Sequence, residues 1–243
     1  MITLLRKEIS GFLNSLIGYV VMIIFLTTIG LFMWVFPGEF NTLDAGYANI
    51  DTLFMLAPWV FMFLAPAVTM RMFSEEQRTG TIELLLTKPV SDWQIIFSKF
   101  FAGIILIILA LIPTLIYFFT VSSLGAPAWN VDLGAMWGSY IGLIFLSGAF
   151  TAIGIFASSI SSNQIISFIL GLFLSFFCFV GLESLSSLEL LGIADHIILQ
   201  LGINEHYISM SRGVIDSRDV LYFVALIGIF IWFTKLKLDS RKW

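Results

Sequence analysis

Charge is scarce in this chain. Asp, Glu, Lys and Arg make up 12% of its 243 residues, against about 25% in ordinary globular proteins. Cysteine is reduced to Cys178, inside an apolar run, so an intrachain disulfide and the small disulfide-stapled folds are excluded. The redox compartment stays open, and Cys178 reads as a small buried hydrophobe. Histidine occurs twice, at 196 and 206, beside Asp195 and Glu205 but without metal-ligand spacing. Both read as interfacial side chains, and no metal site is expected. There is no His-Glu-x-x-His helix, no Gly-x-Ser-x-Gly elbow and no phosphate-binding P-loop. No repeat with a period of 20–50 residues is present.

In place of charge the chain has apolar residues, 59% of the total, with 25 phenylalanines and a mean hydropathy of +1.00. A soluble fold of this size has too little interior for that much apolar surface, and large exposed patches aggregate. The chain belongs in a bilayer. A net charge of −4 matters less than where the charges sit.

A membrane span needs about 20 mostly apolar residues. The gaps between charges place spans near residues 16–36, 52–70, 100–121, 133–156, 165–182 and 220–238. Residues 133–182 form an uncharged run too long for one helix, broken by the polar stretch Ser158-Ser159-Ile160-Ser161-Ser162-Asn163-Gln164. The uncharged part of the sixth span, Val220–Thr234, is short, but Lys235 and Lys237 can snorkel to the interface. The first span exceeds the apolar core of a signal peptide and is expected to be retained. Pro58 and Pro66, about two turns apart, predict a kink in span two. The three-span halves do not match, so an inverted-repeat transporter gains no support.

Lysine and arginine set orientation. Arg6, Lys7, Arg71, Arg78, Lys88, Lys99, Lys235, Lys237, Arg241 and Lys242 fall on one side. Only Arg212 and Arg218 fall on the other. Both termini are therefore expected in the cytoplasm, and an even number of spans is required. None of these spans contains an acidic residue, a histidine or an arginine, which argues against a proton or ion pump and an intramembrane enzyme.

The informative stretch is cytoplasmic, residues 71–94. Gly80 permits a sharp turn. Residues 81–87 can form about two helical turns with Ile82, Leu84 and Leu85 as an apolar patch. Pro89 ends that helix and pushes Lys88 out of the α region. Ser91 and Gln94 make a capping-box pattern for the next helix. A short amphipathic helix is thus held between two spans, suited to the membrane interface or a partner's groove. The lead-in, residues 1–15, sets Ile2, Leu5, Ile9, Phe12 and Leu13 on one face and reads as an interfacial helix.

Glu75, Glu76, Gly80, Thr81, Glu83, Leu85, Leu86, Pro89, Val90 and Ser91 form a pattern that resembles the coupling segment of ABC-2 type permeases, the membrane subunits of ABC exporters. The likeness spans the chain. Arg6-Lys7-Glu8 with Phe12, Ser15 and Gly18-Tyr19-Val20-Val21 is similar to the family's lead-in to span one. Residues 207–220, with Arg212, Gly213 and Asp216, resemble the stretch before the final span. Within the family the likeness is to gliding-motility-associated permeases of Bacteroidetes.

The resemblance implies an all-α, polytopic fold of six transmembrane helices, like the type V exporters, forming one domain over residues 1–243 in a bacterial inner membrane. It implies a separate ABC ATPase dimer that binds ATP and Mg, with no cofactor on this chain. It also implies a second permease subunit, identical or a related gliding-motility membrane subunit, and no nucleic-acid partner. Glu75, Glu76, Arg78, Thr79, Gly80, Thr81, Glu83, Leu84, Leu85 and Pro89 would contact the ATPase. The loop 183–219 is long for a connector. Leu185, Leu188 and Leu191, then Ile197, Ile198 and Leu201, recur at helical spacing around Gly192 and Gly202. An external re-entrant hairpin and two helices lying on the outer surface both fit. A non-transporting membrane anchor or scaffold in a motility or secretion complex stays open as the other function.

Overall fold

A computed structural model describes residues 1–87, 90–188 and 192–240, with the backbone alone for Leu84, Leu85, Leu86, Ile193 and Ala194. Lys88, Pro89, Leu191, Arg241 and Lys242 lie outside the described residues, as do the side chains of Leu84 and Leu85.

Most of the described residues are helical, and six helical stretches are long and apolar enough to cross a membrane. Helix α1 (Ile2–Leu13) precedes the first span, α2 (Leu16–Trp34). Ser15 makes the corner between them: its hydroxyl accepts from the Gly18 amide at 3.2 Å and donates to the Phe12 carbonyl at 2.7 Å. The corner is so tight that a Cβ on Gly18 would lie 2.5 Å from the Phe12 carbonyl oxygen.

The second span, α3 (Asp51–Arg78), is one continuous helix that outruns the expected span by two turns, so residues 71–78 are helix and not loop. Pro58 and Pro66 both lie inside it. Proline has no amide to give the carbonyl four residues back. The Phe54 carbonyl freed by Pro58 instead accepts the Tyr207 hydroxyl at 2.7 Å.

After α4 (Thr81–Leu86), the third span runs from Asp92 to Leu124 as α5 (Asp92–Leu111), a short 3-10 turn (Ile112–Thr114) and α6 (Leu115–Leu124). The expected capping box is present: Ser91 caps the Gln94 amide and Gln94 returns a bond to the Ser91 amide, both at 3.3 Å. The span therefore begins eight residues earlier than the charge gaps suggested, and it includes Lys99.

The fourth span, α7 (Leu133–Ile160), is capped by Asp132, and the fifth, by Asn163. The fifth comprises α8 (Gln164–Phe176), a π-helical turn (Phe177–Gly181) and α9 (Leu182–Ser186). The polar break between them is narrower than Ser158–Gln164, since α7 continues to Ile160. Helices α10 (Ile193–Gln200) and α11 (Ile203–Ser211) follow, then the last span, α12 (Ser217–Asp239), capped by Asp216.

Burial divides the spans. Of the 18 most apolar consecutive residues in each span, 78% are buried in α7 and 61% in α3 and in the third span, against 22% in the first, fifth and sixth. Helices α3 and α7 form the axis of the bundle. Small residues let their backbones approach: a Cβ on Gly154 would lie 2.1 Å from the Thr69 hydroxyl.

Candidate functional site

The end of the bundle that gathers α1, α4 and the C-terminal end of α3 carries most of the basic residues; we call it the basic end. There α3 stops at Arg78, and Thr79 closes it with its amide on the Glu75 carbonyl at 2.9 Å. Gly80 takes φ +71, a conformation that side-chain-bearing residues adopt at a cost, with nothing within 4 Å of where a Cβ would stand. Its requirement is conformational rather than steric. Thr79 and Thr81 join hydroxyls across it at 2.9 Å. Helix α4 follows, tethered by Ile82, which is buried. Arg78, Thr79, Gly80, Thr81 and Glu83 are exposed.

Behind this exposed lever lies a group of charges. Lys99 is 2% exposed, and its ammonium sits 2.8 Å from Glu8 Oε1 and 3.0 Å from Glu76 Oε2. It also donates to the Met72 carbonyl and stands 4.9 Å from the centre of the Phe73 ring. Lys7 donates to Glu76 Oε1 at 2.9 Å and lies 3.9 Å from Glu8. Two cations and two carboxylates thus balance, as burial demands, since an unpaired charge out of water is strongly unfavourable. Desolvation works to lower the Lys7 pKa. The hydrogen bond that Lys7 donates to Glu76 and the negative charges of Glu76, Glu8 and Glu75 outweigh it and hold the ammonium above its ordinary value.

The four anchors come from three elements: Lys7 and Glu8 from α1, Glu76 from α3, Lys99 from α5. The tetrad ties the lead-in helix to the second and third spans at the root of the lever. This corrects the sequence reading in two places. Glu76 faces inward and its carboxylate is committed within the chain, so it is not an outward-facing contact. Lys99 is not a loop charge but a buried one. Glu8 and Lys99 were not singled out from sequence. The Ser91–Gln94 capping box carried the signal, because a helix starting at Asp92 puts Lys99 about two turns inside it.

Next to the tetrad a cleft of about 500 Å³ opens between α1 and α3, lined among others by Gly11, Phe12, Arg71, Met72, Glu75 and Thr79. Glu75 pairs with Arg71 one turn back, at 3.2 Å. Its lining mixes buried apolar side chains, Phe12, Val68 and Met72, with the charged Arg71 and Glu75.

Arg212, Gly213 and Asp216 lie together at the opposite end. Arg212 is exposed, and Asp216 caps α12 through the Arg218 amide at 2.9 Å. Gly213, at φ +83, lies against α7, where a Cβ would be 2.2 Å from Ala135 Cα. Ser139 donates to the Ser211 carbonyl at 2.7 Å. Helix α11 thus docks on the first turns of α3 and α7, with Ile203, Tyr207 and Met210 buried. His206 is not a plain surface side chain: Nδ1 is 2.7 Å from Asp219, Nε2 is 2.9 Å from the Gln200 carbonyl, and the ring stacks on Tyr222. Among the described residues no group of three or more His, Cys, Asp or Glu is placed to hold a metal.

The fold and this junction can be set beside known proteins. No curated protein matches the chain. A family model described as ABC-2 family transporter protein matches residues 2–215. That match takes in the lead-in helix, the lever with its charged root and most of the opposite-end hairpin, and on it this multi-pass membrane chain belongs to the ABC-2 family of transporter proteins.

Proposed function

We propose that this chain is the membrane-spanning permease subunit of an ATP-driven ABC transporter complex, and that α4 is the element its ATPase grips. The chain has no nucleotide-binding motif, so ATP and Mg belong to a separate ATPase dimer. The observation that carries the reading is the lever: a short helix with Thr81 and Glu83 exposed, joined by a left-handed glycine to the end of α3, which ion pairs tie to α1 and α5. A solvated loop needs neither feature.

In this mechanism Thr79, Thr81 and Glu83 meet the ATPase, with Arg78 and Glu75 at the edge of the cleft. Closure of the ATPase dimer displaces α4. Glu76 and Lys99 keep the ends of α3 and α5 in register, so the displacement reaches the second and third spans together. Nothing in this step is catalysis by the chain itself. Six spans are too few to enclose a large conduit, so a second membrane subunit, identical or related, completes it. The basic end faces the cytoplasm of a bacterial inner membrane, by the excess of Lys and Arg there. Gliding motility is the setting that the residue likeness favours.

The test is purification of the complex from native membrane, with identification of co-purifying chains and measurement of ATP hydrolysis. Gly80→Pro and Glu83→Arg are expected to lower hydrolysis or release the ATPase. Unaltered assembly and activity in both variants would refute the role of α4.

A further inference from the structure

One polar cluster at the basic end lies outside the lever and its charged root. Ser158, near the C-terminal end of α7, is fully buried against α3. Its hydroxyl accepts from two consecutive amides of that helix, Phe73 at 2.9 Å and Ser74 at 3.2 Å, and lies 3.1 Å from the Met70 carbonyl, to which it donates. A serine hydroxyl has one donor and two acceptor sites, so its whole capacity is spent on the backbone of α3. The exchange is reciprocal. Gln77 of α3 donates to the Ser159 carbonyl at 2.9 Å, one of the last carbonyls of α7, which have no partner within their own helix.

A side chain entering the hydrogen-bond ladder is one of the few causes of a local bend in a helix. This one enters between Met70 and Ser74, between the bilayer portion of α3 and the segment that carries Glu76 and leads into Gly80. On the other side of the same turn Lys99 takes the Met72 carbonyl. The backbone of α3 is thus gripped here from α7 and from α5.

We infer that Ser158 and Gln77 are positioning residues that carry the movement of the lever into the α7–α8 hairpin. The inference rests on the coupling role of α4 and extends it. Movement of α3 below Met70 draws the end of α7 with it, and the turn 161–163 follows. Helix α8 begins directly after that turn and belongs to a span of whose 18 most apolar consecutive residues only 22% are buried within the chain. Its outer face is where lipid or a second membrane subunit lies. ATP-driven motion therefore reaches the perimeter of the bundle by a path other than the second and third spans.

The test uses the intact complex with its ATPase and compares wild type, Ser158→Ala and Gln77→Ala by amide hydrogen exchange, with and without ATP plus vanadate. In Ser158→Ala, exchange at Phe73 and Ser74 is expected to quicken about fivefold, the factor that one ordinary hydrogen bond represents. In wild type, nucleotide is expected to change exchange across residues 159–167. In both variants ATP hydrolysis is retained and that response is lost. Gln77 is only half-buried, so Gln77→Ala tests the idea even if Ser158→Ala folds poorly. A response that persists in both variants, or is missing from a wild-type complex that hydrolyses ATP, overturns the relay and leaves the coupling role standing. If no ATPase binds the wild-type chain, the coupling role fails and the relay fails with it.

Discussion

Replacing Lys99 by methionine gives the sharpest measure of the charged root, because the change keeps most of the apolar stem and deletes the ammonium. Lys99 Nζ is within 3.0 Å of two carboxylates, and the side chains of Glu8 and Glu76 are only 14% and 11% exposed. Removing one member of a buried ion pair costs about 3–5 kcal/mol, chiefly because the remaining charge is left without compensation. Here Lys7 survives, 2.9 Å from Glu76 and 3.9 Å from Glu8, and recovers part of that. Its side chain is 61% exposed, so water screens it and the recovery is modest. The expected loss is at the low end, about 3 kcal/mol, or roughly a hundredfold in the unfolding equilibrium.

The second half of the reasoning is a cycle. Glu76→Gln in the Lys99→Met background leaves Lys7 facing Glu8, one charge of each sign. It should restore about 1–2 kcal/mol, although Glu76→Gln alone destabilises the wild type. Unfolding by SDS in detergent micelles, followed by helical circular dichroism, reads all four proteins. A Lys99→Met protein within about 0.5 kcal/mol of wild type, or a double variant whose loss equals the sum of the two single losses, would refute the view that these charges act as one buried unit.

Other outcomes follow from the same geometry. Gly213→Ala places a methyl 2.2 Å from Ala135 Cα in a left-handed conformation, so overpacking and backbone strain together should exceed about 2 kcal/mol; a normal unfolding midpoint would mean that α11 does not dock on α7. Tyr207→Phe strands the Phe54 carbonyl and should cost about 1–2 kcal/mol. That cost should shrink in a Pro58→Ala background, whose new amide can serve the same carbonyl, and equal costs in both backgrounds would break the link. Lys7 has a folded-state pKa raised above 10.5, so its stabilisation is complete below that value and fades as pH rises through the higher folded value. Unfolding midpoints measured from pH 9 upward should therefore decline in wild type and decline less in Lys7→Ala.

What the sequence made legible at this site was local. Gly80 as a turn, a helix beginning at Thr81 and the Ser91–Gln94 cap are each decided within a few residues, and each is present. The charged root was not legible, because its partners are far apart in the chain: Glu8 and Lys99 are separated by 91 positions. Delimiting spans by charge also presumes that every charge sits in water. Lys99 violates that presumption, since two carboxylates take the place of its hydration. The reach of α3 past Arg71 was hidden for a related reason. Arg71 and Glu75 pair along the helix, and Gln77 bonds the end of α7, so polar residues that looked like a loop are satisfied as helix. In sequence Ser158 starts a polar break between spans, yet its hydroxyl is spent on the neighbouring helix and α7 continues past it.

The fastenings along α3 also bear on which span conveys movement. At one end Tyr207 holds the Phe54 carbonyl; at the other, Ser158 and Lys99 hold the turn from Met70 to Ser74. Nineteen residues separate Phe54 from Phe73, and at a rise of 1.5 Å each they put about 28 Å between the two fastenings, close to the thickness of the hydrocarbon layer. A helix fixed to its neighbours only by apolar contact can slide within lipid without losing hydrogen bonds. A helix whose backbone is bonded at both faces of the bilayer cannot, and it must tilt or bend instead. In the proposed mechanism the bend falls where Ser158 bonds the backbone of α3, while the Tyr207 hydroxyl holds the carbonyl that Pro58 has released at the other end. A push on α4 therefore reaches the Phe54 end of α3 as a tilt, and the hydrogen bond from Tyr207 passes that tilt to α11.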